Sequence, residues 1–316
     1  MSLTKPVFLL SLSAIAVVLP LFIYPVFLMQ AMSLALFASG FNLLLGYAGI
    51  LSFGHAALFG SAAYVCGYAA KNWGLPTELA IVCGTAASAF LGLLYGTLAI
   101  RQRGIYLAMI TFALSQLVYF ICLQAPFTGG ENGLQSIPRG YFMGVVDLRP
   151  SLNMYYFELI VFVLALLLVA RIIHSPFGQA LRAMKDNEMR AVSLGYDVER
   201  IKIIAFVMSG ALSGLGGSLK ALALGLSSLA DVLWHVNGEV ILMTLLGGLG
   251  TLFGPVAGAF LVTAIQNYMA EIGGAVTIVE GIIFAVIVMT FRRGIAGELQ
   301  PVIEALAARW KTRSRP

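Results

Sequence analysis

The sequence predicts an all-α integral membrane protein, and its composition and apolar patterning support that fold class. Of the 316 residues, 60 % are hydrophobic and 10 % are charged, which is too little charge for the surface of a soluble domain of this size. Residues 6–70 contain no Asp, Glu, Lys or Arg over 65 consecutive positions. That stretch has room for three helical crossings of about 20 residues each. A membrane β-barrel is excluded, because its strands would alternate polar and apolar residues over about ten positions.

We predict about ten transmembrane helices, several of them short or broken by glycine. The apolar stretches that define them lie at about 7–29, 31–46, 55–70, 79–100, 104–124, 154–173, 201–225, 237–249, 255–271 and 276–291. An odd number of helices in each half of a 5+5 arrangement would place the halves in opposite orientations, as in transporters built from inverted repeats. This pseudo-symmetry rests on parity alone, because the two halves show no convincing similarity in sequence.

Basic residues sort the connecting segments onto two sides of the membrane. With the N-terminus in the cytoplasm, the inner segments hold 15 of the 19 Lys and Arg residues; these segments are 1–6, 101–103, 171–202 and 292–316. The asymmetry agrees with the positive-inside rule and places both termini in the cytoplasm. The glycine-interrupted stretch 240–271 is then expected to make two passes, because a single crossing would put the basic C-terminus outside. A re-entrant segment is the alternative.

The chain is expected to form a transmembrane domain over residues 1–295 and a basic cytoplasmic tail over residues 296–316. The net charge of +5 is explained by membrane topology, so nucleic acid is not predicted as a partner. Cys66, Cys83 and Cys122 lie in apolar stretches without metal-ligand spacing, and we interpret them as packing residues. No metal site is predicted.

Two glycine-rich breaks interrupt the apolar pattern: GYAGILSFGHAALFG (46–60) and GGLGTLFGP (247–255). Neither is a nucleotide-binding loop, since no Gly-Lys-Ser/Thr follows. The glycines either allow helices to pack closely or allow unwound backbone to line a cavity. Ser52 and His55 are the polar residues of the first break. We treat both as candidates for a translocation path, with a hydrogen-bonded structural histidine as the alternative.

Further candidates for that path lie in the predicted helix 104–124. Tyr106, Thr111 and Ser115 are expected near one helix face, with Gln116 beside them; hydrogen bonds between helices are the alternative role. The long outer segment 125–153 contains TGGENG, a run of turn formers. This run forms either an anion-binding nest or a docking surface for an external partner. The docking candidates are Thr128, Gly129, Gly130, Glu131 and Asn132.

Ionisable residues within the predicted helices are few. Glu280 lies about one turn from a helix end, whereas Glu239, Glu271 and Lys220 lie near ends from which they can reach the membrane surface. No pair of carboxylates is suited to proton or ion coupling. That absence argues against a secondary transporter.

A charged connector, residues 174–202, lies between two apolar stretches in the second half of the chain. Apolar residues recur within it at helical spacing, at Leu181, Met184, Ala191 and Leu194. Gly195 is expected to end this short amphipathic helix. A solvated connector would explain the charge alone. The periodic spacing and the small residues favour a surface helix that docks into a groove of another protein.

Several motifs resemble those of the LivM-type permeases of ATP-binding-cassette (ABC) importers for branched-chain amino acids. They occur in family order over about residues 40 to 295, as GYAGILSFGHAALFG, RQRGIYLAMITFALSQ, FTGGENGLQSIP, HSPFGQALRAMKDNE, ALRAMKDNEMRAVSLGYDVERIKIIAFVMSGALSGLGGSL and LLGGLGTLFGPVAGA. The resemblance implies import of branched-chain or other hydrophobic amino acids by alternating access. Similar permeases are thought to serve urea, short amides and aromatic acids, so these solutes are alternatives. A stand-alone secondary transporter is a second alternative.

The same resemblance implies that this chain is a transport subunit and not an enzyme. Two ABC ATPase subunits would bind ATP and magnesium, so no cofactor is expected in this chain, which agrees with its lack of a Walker-type motif. A second homologous permease, or a second copy of this chain, would complete the path. A periplasmic binding protein would deliver solute at the bacterial inner membrane. ATPase movement would pass through the coupling residues Asn187, Glu188, Arg190, Ala191, Leu194, Gly195 and Tyr196.

Overall fold

The computed structural model describes residues 17–99, 102, 104–269, 281, 282 and 285, and these are predominantly helical. The α-helices are α1 (Pro25–Asn42), α2 (His55–Lys71), α3 (Thr77–Ala99), α4 (Ile105–Gln124), α5 (Ser151–Ile173), α6 (Pro176–Asp186), α7 (Glu188–Ser193), α8 (Val198–Leu224), α9 (His235–Gly247) and α10 (Gly254–Met269). Two-residue strands are β1 (Leu134–Gln135), β2 (Tyr141–Phe142), β3 (Val146–Asp147) and β4 (Leu226–Ser227). The expected segments 1–6 and 296–316, most of the expected helix 276–291, and Glu271 and Glu280 lie outside the described residues.

The first helix boundary differs from the expected one. The expected helices 7–29 and 31–46 would separate at Gln30, but Gln30 lies inside α1, which begins at Pro25. Proline suits a first helical turn because its φ is already helical and no partner is needed there for an N–H. At its other end, α1 continues directly into a π-helix, Leu43–Ala48, which stops at Gly49 with a φ of +71°. Short π-helical turns are frequent at functional sites.

Helix α8 is the centre of the bundle and packs against α1, α2 and α3. Its glycines allow this close approach. A Cβ at Gly217 would overlap the carbonyl oxygen of Phe59 in α2, and a Cβ at Gly210 would lie 2.8 Å from the carbonyl oxygen of Ser88 in α3. A Cβ at Gly216 would lie 2.5 Å from a carbonyl oxygen of α1. Because these neighbours are backbone atoms, they cannot rotate away, and the helices can meet only where side chains are small.

Among the described residues, five helical segments are long and apolar enough to cross a bilayer: Pro25–Ala48, Thr77–Leu98, Ile105–Gln124, Ser151–Ile173 and Val198–Leu224. The first is buried over nearly all of its length, whereas α4 and α5 expose apolar side chains such as Phe120 and Leu164. Such exposed apolar faces are expected of helices that contact lipid. A helical membrane protein is therefore confirmed, while ten crossings, the side of each terminus and the 5+5 symmetry stay predictions.

The stretch expected to make two passes forms two separate helices, α9 and α10. Helix α9 contains 13 residues, which rise about 20 Å at 1.5 Å per residue. This length falls short of a hydrocarbon core of about 30 Å. The break between them requires glycine, because Gly248 and Gly250 have φ values of +117° and +72°.

One end of the bundle, here named the strand end, is closed by the chain between α4 and α5. Strand β1 pairs antiparallel with β4, which directly follows α8, and β2 pairs with β3 in a hairpin. Arg139 donates from Nε to the carbonyl oxygen of Leu222 (3.1 Å) and from Nη2 to that of Ala223. A cation is favourable at this position because the last carbonyl groups of a helix carry partial negative charge. Arg139 thus fixes the loop to the end of α8.

The other end carries the charged connector, which forms two helices instead of the single one expected. Helix α6 ends at Asp186 and α7 begins at Glu188, with Asn187 extended between them (φ −161°). Oδ1 of Asn187 accepts a hydrogen bond from the backbone N–H of Arg190 (3.0 Å), so Asn187 caps α7. Gly195 follows α7 with a φ of +86°, as expected for a residue that ends a helix.

Candidate functional site

The polar residues of the first glycine-rich break gather at the start of α2. Ser52 and His55 are fully buried. Nε2 of His55 lies 2.7 Å from Oγ of Ser209 in α8, and that hydroxyl donates to the carbonyl oxygen of Gly40 in α1 (2.6 Å). Because the hydroxyl proton is directed at Gly40, Nε2 of His55 is the donor to Ser209. One chain of hydrogen bonds therefore joins α2, α8 and α1.

Two further helices hold the same break. Asn237 of α9 is fully buried, and its Oδ1 accepts a hydrogen bond from the backbone N–H of Ala56 (2.8 Å). That N–H is one of the four that the first turn of a helix leaves without a helical partner. Oγ1 of Thr111 in α4 accepts a hydrogen bond from the backbone N–H of Phe53 (3.1 Å). The start of α2 is thus fixed by α4, α8 and α9.

The candidate path residues of α4 do not share one face. Thr111 and Ser115 are fully buried, whereas Tyr106 is 71 % exposed. Five helical residues advance by about 500°, which leaves Tyr106 about 140° away from Thr111 around the axis. The expected common face is therefore wrong for Tyr106. Gln116 is partly buried. A role for any of these residues in a solute path stays a prediction.

The two glycine-rich breaks meet at Asn42, the last residue of α1. Its Oδ1 accepts a hydrogen bond from the backbone N–H of Gly250 (2.9 Å), and its Nδ2 donates to the carbonyl oxygen of Thr251 (2.8 Å). Gly46 touches the same segment, since a Cβ there would lie 2.6 Å from the nitrogen of Gly250. The sequence identified both breaks, but only the folded chain brings them together.

Two lysines attach the charged connector to the bundle. Nζ of Lys185 donates to the carbonyl oxygen of Gly46 in the first break (2.7 Å). Nζ of Lys202 in α8 lies 2.8 Å from Oε1 of Glu188, and the Lys202 side chain is only 7 % exposed. Such a partly buried ion pair is screened by salt much less than a surface pair. Helix α7 is therefore held against the start of α8.

The predicted coupling residues divide between the two sides of α7. Ala191 is 1 % exposed and faces the bundle, whereas Asn187, Arg190 and Gly195 are exposed. On the outer side, no described residue covers a set of apolar side chains whose exposed fractions run from 43 to 69 %. We name this set the α7 surface; it consists of Met189, Val192, Leu194 and Tyr196.

A cavity of about 270 Å³ separates the charged connector from the first break. Residues 48–51 line one side and residues 184–188 line the other, and Gly104 and Lys202 complete the wall. Lys185 bridges the two sides, because its backbone lies on the connector and its Nζ bonds to Gly46. The connector therefore has free space beside its attachment to the first break.

The docking candidates at the strand end are only partly accessible. Thr128 is 1 % exposed, and its Oγ1 lies within hydrogen-bond distance of two carbonyl oxygens at the end of α4. Thr128 therefore caps the C-terminal end of α4. Gly129 and Gly130 have φ values of +77° and +58°, which forms the expected turn. Glu131 and Asn132 are exposed. A docking role for this turn stays a prediction.

Sequence reasoning missed one buried acidic side chain and misplaced one lysine. Glu158 is fully buried in α5, where its Oε1 accepts a hydrogen bond from Oγ of Ser33 in α1 (2.8 Å). Its position inside an apolar stretch was the available signal. Lys220 does not extend to the membrane surface as expected. Its Nζ lies 2.5 Å from Oδ1 of Asp231, and the two side chains are 15 % and 11 % exposed.

No metal-binding cluster is present in the described part of the chain, where no group of three or more His, Cys, Asp or Glu residues could hold an ion. The cysteines are free thiols; Cys66 and Cys122 are buried, and Cys83 is partly buried. The candidate sites consist of hydrogen-bonded polar groups, ion pairs and an exposed apolar surface.

Comparison with protein families gives a match over most of the chain. A family model described as "Branched-chain amino acid transport system / permease component" matches residues 24–291. This range contains all ten helices defined above, both glycine-rich breaks and the charged connector. No solved structure matches the chain.

Individual relatives are permeases of several transport systems. The High-affinity branched-chain amino acid transport system permease protein LivM of Salmonella typhimurium is 28 % identical over 255 residues, covering 73 % of this chain and 60 % of the relative. The Ribose import permease protein RbsC of Bacillus subtilis is 27 % identical over a stretch that covers 53 % of this chain and 52 % of the relative. The Autoinducer 2 import system permease protein LsrC of Salmonella paratyphi B is 27 % identical over a stretch that covers 60 % of this chain and 53 % of the relative. The chain thus spans at most about three fifths of these relatives.

Proposed function

Since this chain belongs to the family of permease components of branched-chain amino acid transport systems, we propose that it is the membrane-spanning permease subunit of an ABC importer. It carries branched-chain or other hydrophobic amino acids into the cytoplasm by alternating access. Among its relatives are permeases named for ribose and for autoinducer 2, so the substrate class is the part of this proposal that most needs a direct test. Urea, short amides and aromatic acids are the alternative solutes.

The α7 surface is the observation that carries this proposal. Helix α7 is held from behind by the Lys202–Glu188 ion pair and by buried Ala191, while Met189 and Leu194 are 68 % and 69 % exposed. An exposed apolar surface on a highly charged segment that is attached to the bundle is the arrangement that a partner protein covers. We propose that one of two ABC ATPase subunits covers the α7 surface. These subunits bind ATP and magnesium, and their movement drives transport.

The remaining partners follow from the same assignment. A second permease, either homologous or a second copy of this chain, completes the path, and a periplasmic binding protein delivers solute at the opposite end of the bundle. The protein then resides in the bacterial inner membrane, with the charged connector on the cytoplasmic side. The basic residues of the connector support that side.

The test compares two glutamate variants of the tagged chain, co-expressed with the products of its neighbouring genes. Leu194→Glu places a charge on the α7 surface without removing a buried contact. Val145→Glu is the matched control, because Val145 is 83 % exposed in the turn between β2 and β3. We expect Leu194→Glu to lower ATPase retention at least tenfold and to abolish ATP-driven uptake, and Val145→Glu to keep both. Gly195 is a poorer position, since its φ of +86° would strain any side chain.

Two results would overturn the assignment. One is retention of the ATPases and of ATP-driven uptake by Leu194→Glu. The other is accumulation of solute by the purified chain alone in liposomes under a proton or sodium gradient, which would make it a secondary transporter. Uptake of labelled leucine, urea and benzoate, measured in parallel with the complete complex, distinguishes the solute classes.

A further inference from the structure

The contacts at the connector end assign a transmitting role to two side chains outside the expected coupling residues. We propose that Lys185 and Asn42 link the charged connector to both glycine-rich breaks, so that a displacement of the connector moves the two breaks as one unit. This inference rests on the proposed importer function and deepens it, because it names the residues through which the movement enters the membrane helices.

The first link is the hydrogen bond from Nζ of Lys185 to the carbonyl oxygen of Gly46 (2.7 Å). The π-helix ends at Ala48, so Gly46 is among the last residues of the helix, whose carbonyl groups lack a helical N–H partner. An ammonium group is favoured there by the partial negative charge of the helix end. A second contact lies beside it, because the guanidinium carbon of Arg182 is 5.4 Å from the centre of the Tyr47 ring.

The second link is Asn42, which is 3 % exposed and uses both ends of its amide on the second break. If the break moved and Asn42 did not, a buried donor and a buried acceptor would lose their partners at once. Each such loss would disfavour the displaced arrangement, because a buried polar group without a partner is costly. Gly46 and Gly250 are also in backbone contact. The second break therefore follows the end of α1.

The two links are one helical turn apart, since Asn42 and Gly46 differ by four residues. The first link lies on the π-helix, whose turn holds more residues than an α-helical turn. A change of this segment from π-helical to α-helical form would therefore shift the residues that follow it in the chain. The cavity of about 270 Å³ beside Lys185 gives the connector space for such a movement without overpacking. Beyond Thr251, the chain enters α10 at Gly254, so the linkage extends from α6 to α10.

The linkage can be tested on the full chain alone by amide hydrogen exchange in nanodiscs. In Asn42→Leu, the amide of Gly250 loses its acceptor, and we expect exchange at residues 248–251 to be at least tenfold faster. In Lys185→Met, we expect the same acceleration at Gly49 and Ile50, which follow the π-helix and donate their N–H groups to the carbonyl oxygen of Leu44. If Asn42→Leu does not fold, Asn42→Asp is the second variant; it keeps the acceptor for Gly250 but removes the donor to the carbonyl oxygen of Thr251, so we again expect faster exchange at residues 248–251.

Lys71→Met is the matched control, because Nζ of Lys71 also donates to a carbonyl oxygen, that of Gln135 (2.7 Å), at the strand end. It should leave exchange in both breaks unchanged. Unchanged exchange in Asn42→Leu and Lys185→Met would overturn the linkage, whatever the chain transports.

The complete transport complex provides the second readout, the number of solute molecules moved per ATP hydrolysed. We expect Lys185→Met and Asn42→Leu to retain the ATPases and to hydrolyse ATP, but to lower this ratio at least tenfold, with Lys71→Met unchanged. If the unmodified complex shows no ATP-driven uptake, the proposed function fails. If it transports and both variants keep its ratio, the importer assignment stands and the linkage is wrong.

Discussion

The buried ion pair between Lys220 and Asp231 allows a quantitative test of the packing at the strand end. We expect Lys220→Met and Asp231→Leu each to destabilise the protein strongly, and the double variant to be close to the unmodified protein. Each single change leaves one charge buried without its partner, whereas the double change removes both charges and keeps most of the side-chain volume.

The expected magnitude follows from the exposure of the two side chains. They are 15 % and 11 % exposed and 2.5 Å apart, so solvent screens the interaction little. Removal of one partner of a buried pair costs about 3–5 kcal/mol, whereas replacement of both by apolar residues is often neutral. Nζ of Lys220 also lies 5.5 Å from the centre of the Phe59 ring, which adds to the loss in Lys220→Met. The coupling energy, the sum of the two single losses less the loss in the double variant, should therefore be about 6–10 kcal/mol.

The assay is equilibrium unfolding of the purified chain in mixed micelles, analysed as a double-mutant cycle. The control cycle uses Arg200→Gln and Asp197→Asn, at the other end of α8. That pair is 2.7 Å apart but 82 % and 52 % exposed, so its coupling should be about 0.2–1 kcal/mol. If the free-energy changes of the Lys220 and Asp231 variants simply add, the two charges do not stabilise each other inside the bundle.

Two further predictions concern α8. Gly217→Ala should destabilise the protein by about 1–3 kcal/mol, because the new Cβ would overlap the carbonyl oxygen of Phe59. Gly238→Ala in α9 is the control; no atom lies within 4 Å of its new Cβ, so it should be neutral or stabilising by up to about 1 kcal/mol. Equal effects of the two variants in unfolding measurements would contradict the close packing of α8. Arg139→Lys should loosen the end of α8, since a lysine cannot reproduce the forked contact with Leu222 and Ala223. Faster hydrogen exchange in residues 221–227 would confirm this, with Arg149→Lys, whose side chain is 69 % exposed, as the control that should change nothing.

The helical membrane fold was accessible from the sequence because lipid leaves few alternatives. Every buried backbone group in a bilayer needs an internal partner, so long uncharged stretches must become helices. The boundaries were less accessible. The separation expected at Gln30 occurs before Pro25, because a proline at the first helical position outweighs one polar residue. In the connector, the cap formed by Asn187 divides one expected helix into two.

The candidate site was only partly accessible for a similar reason. The breaks, His55 and the charged connector were identified by local composition. Their partners were not, because hydrogen bonds such as that between His55 and Ser209 join residues far apart in sequence. Lys220 illustrates the limit. Its position near a helix end indicated a side chain that reaches the surface, but Asp231 folds back to meet it inside the bundle.

The sequence by itself determined that this chain lies in a membrane as helices, where glycine interrupts them and which connector carries the charge. These properties depend on the hydropathy, conformational freedom and charge of neighbouring residues, and such properties are local. The tertiary structure decided that α8 is the centre of the bundle, that Asn42 joins the two breaks and that Lys185 joins them to the connector. Each of these depends on distances between residues remote in the chain, which packing alone sets.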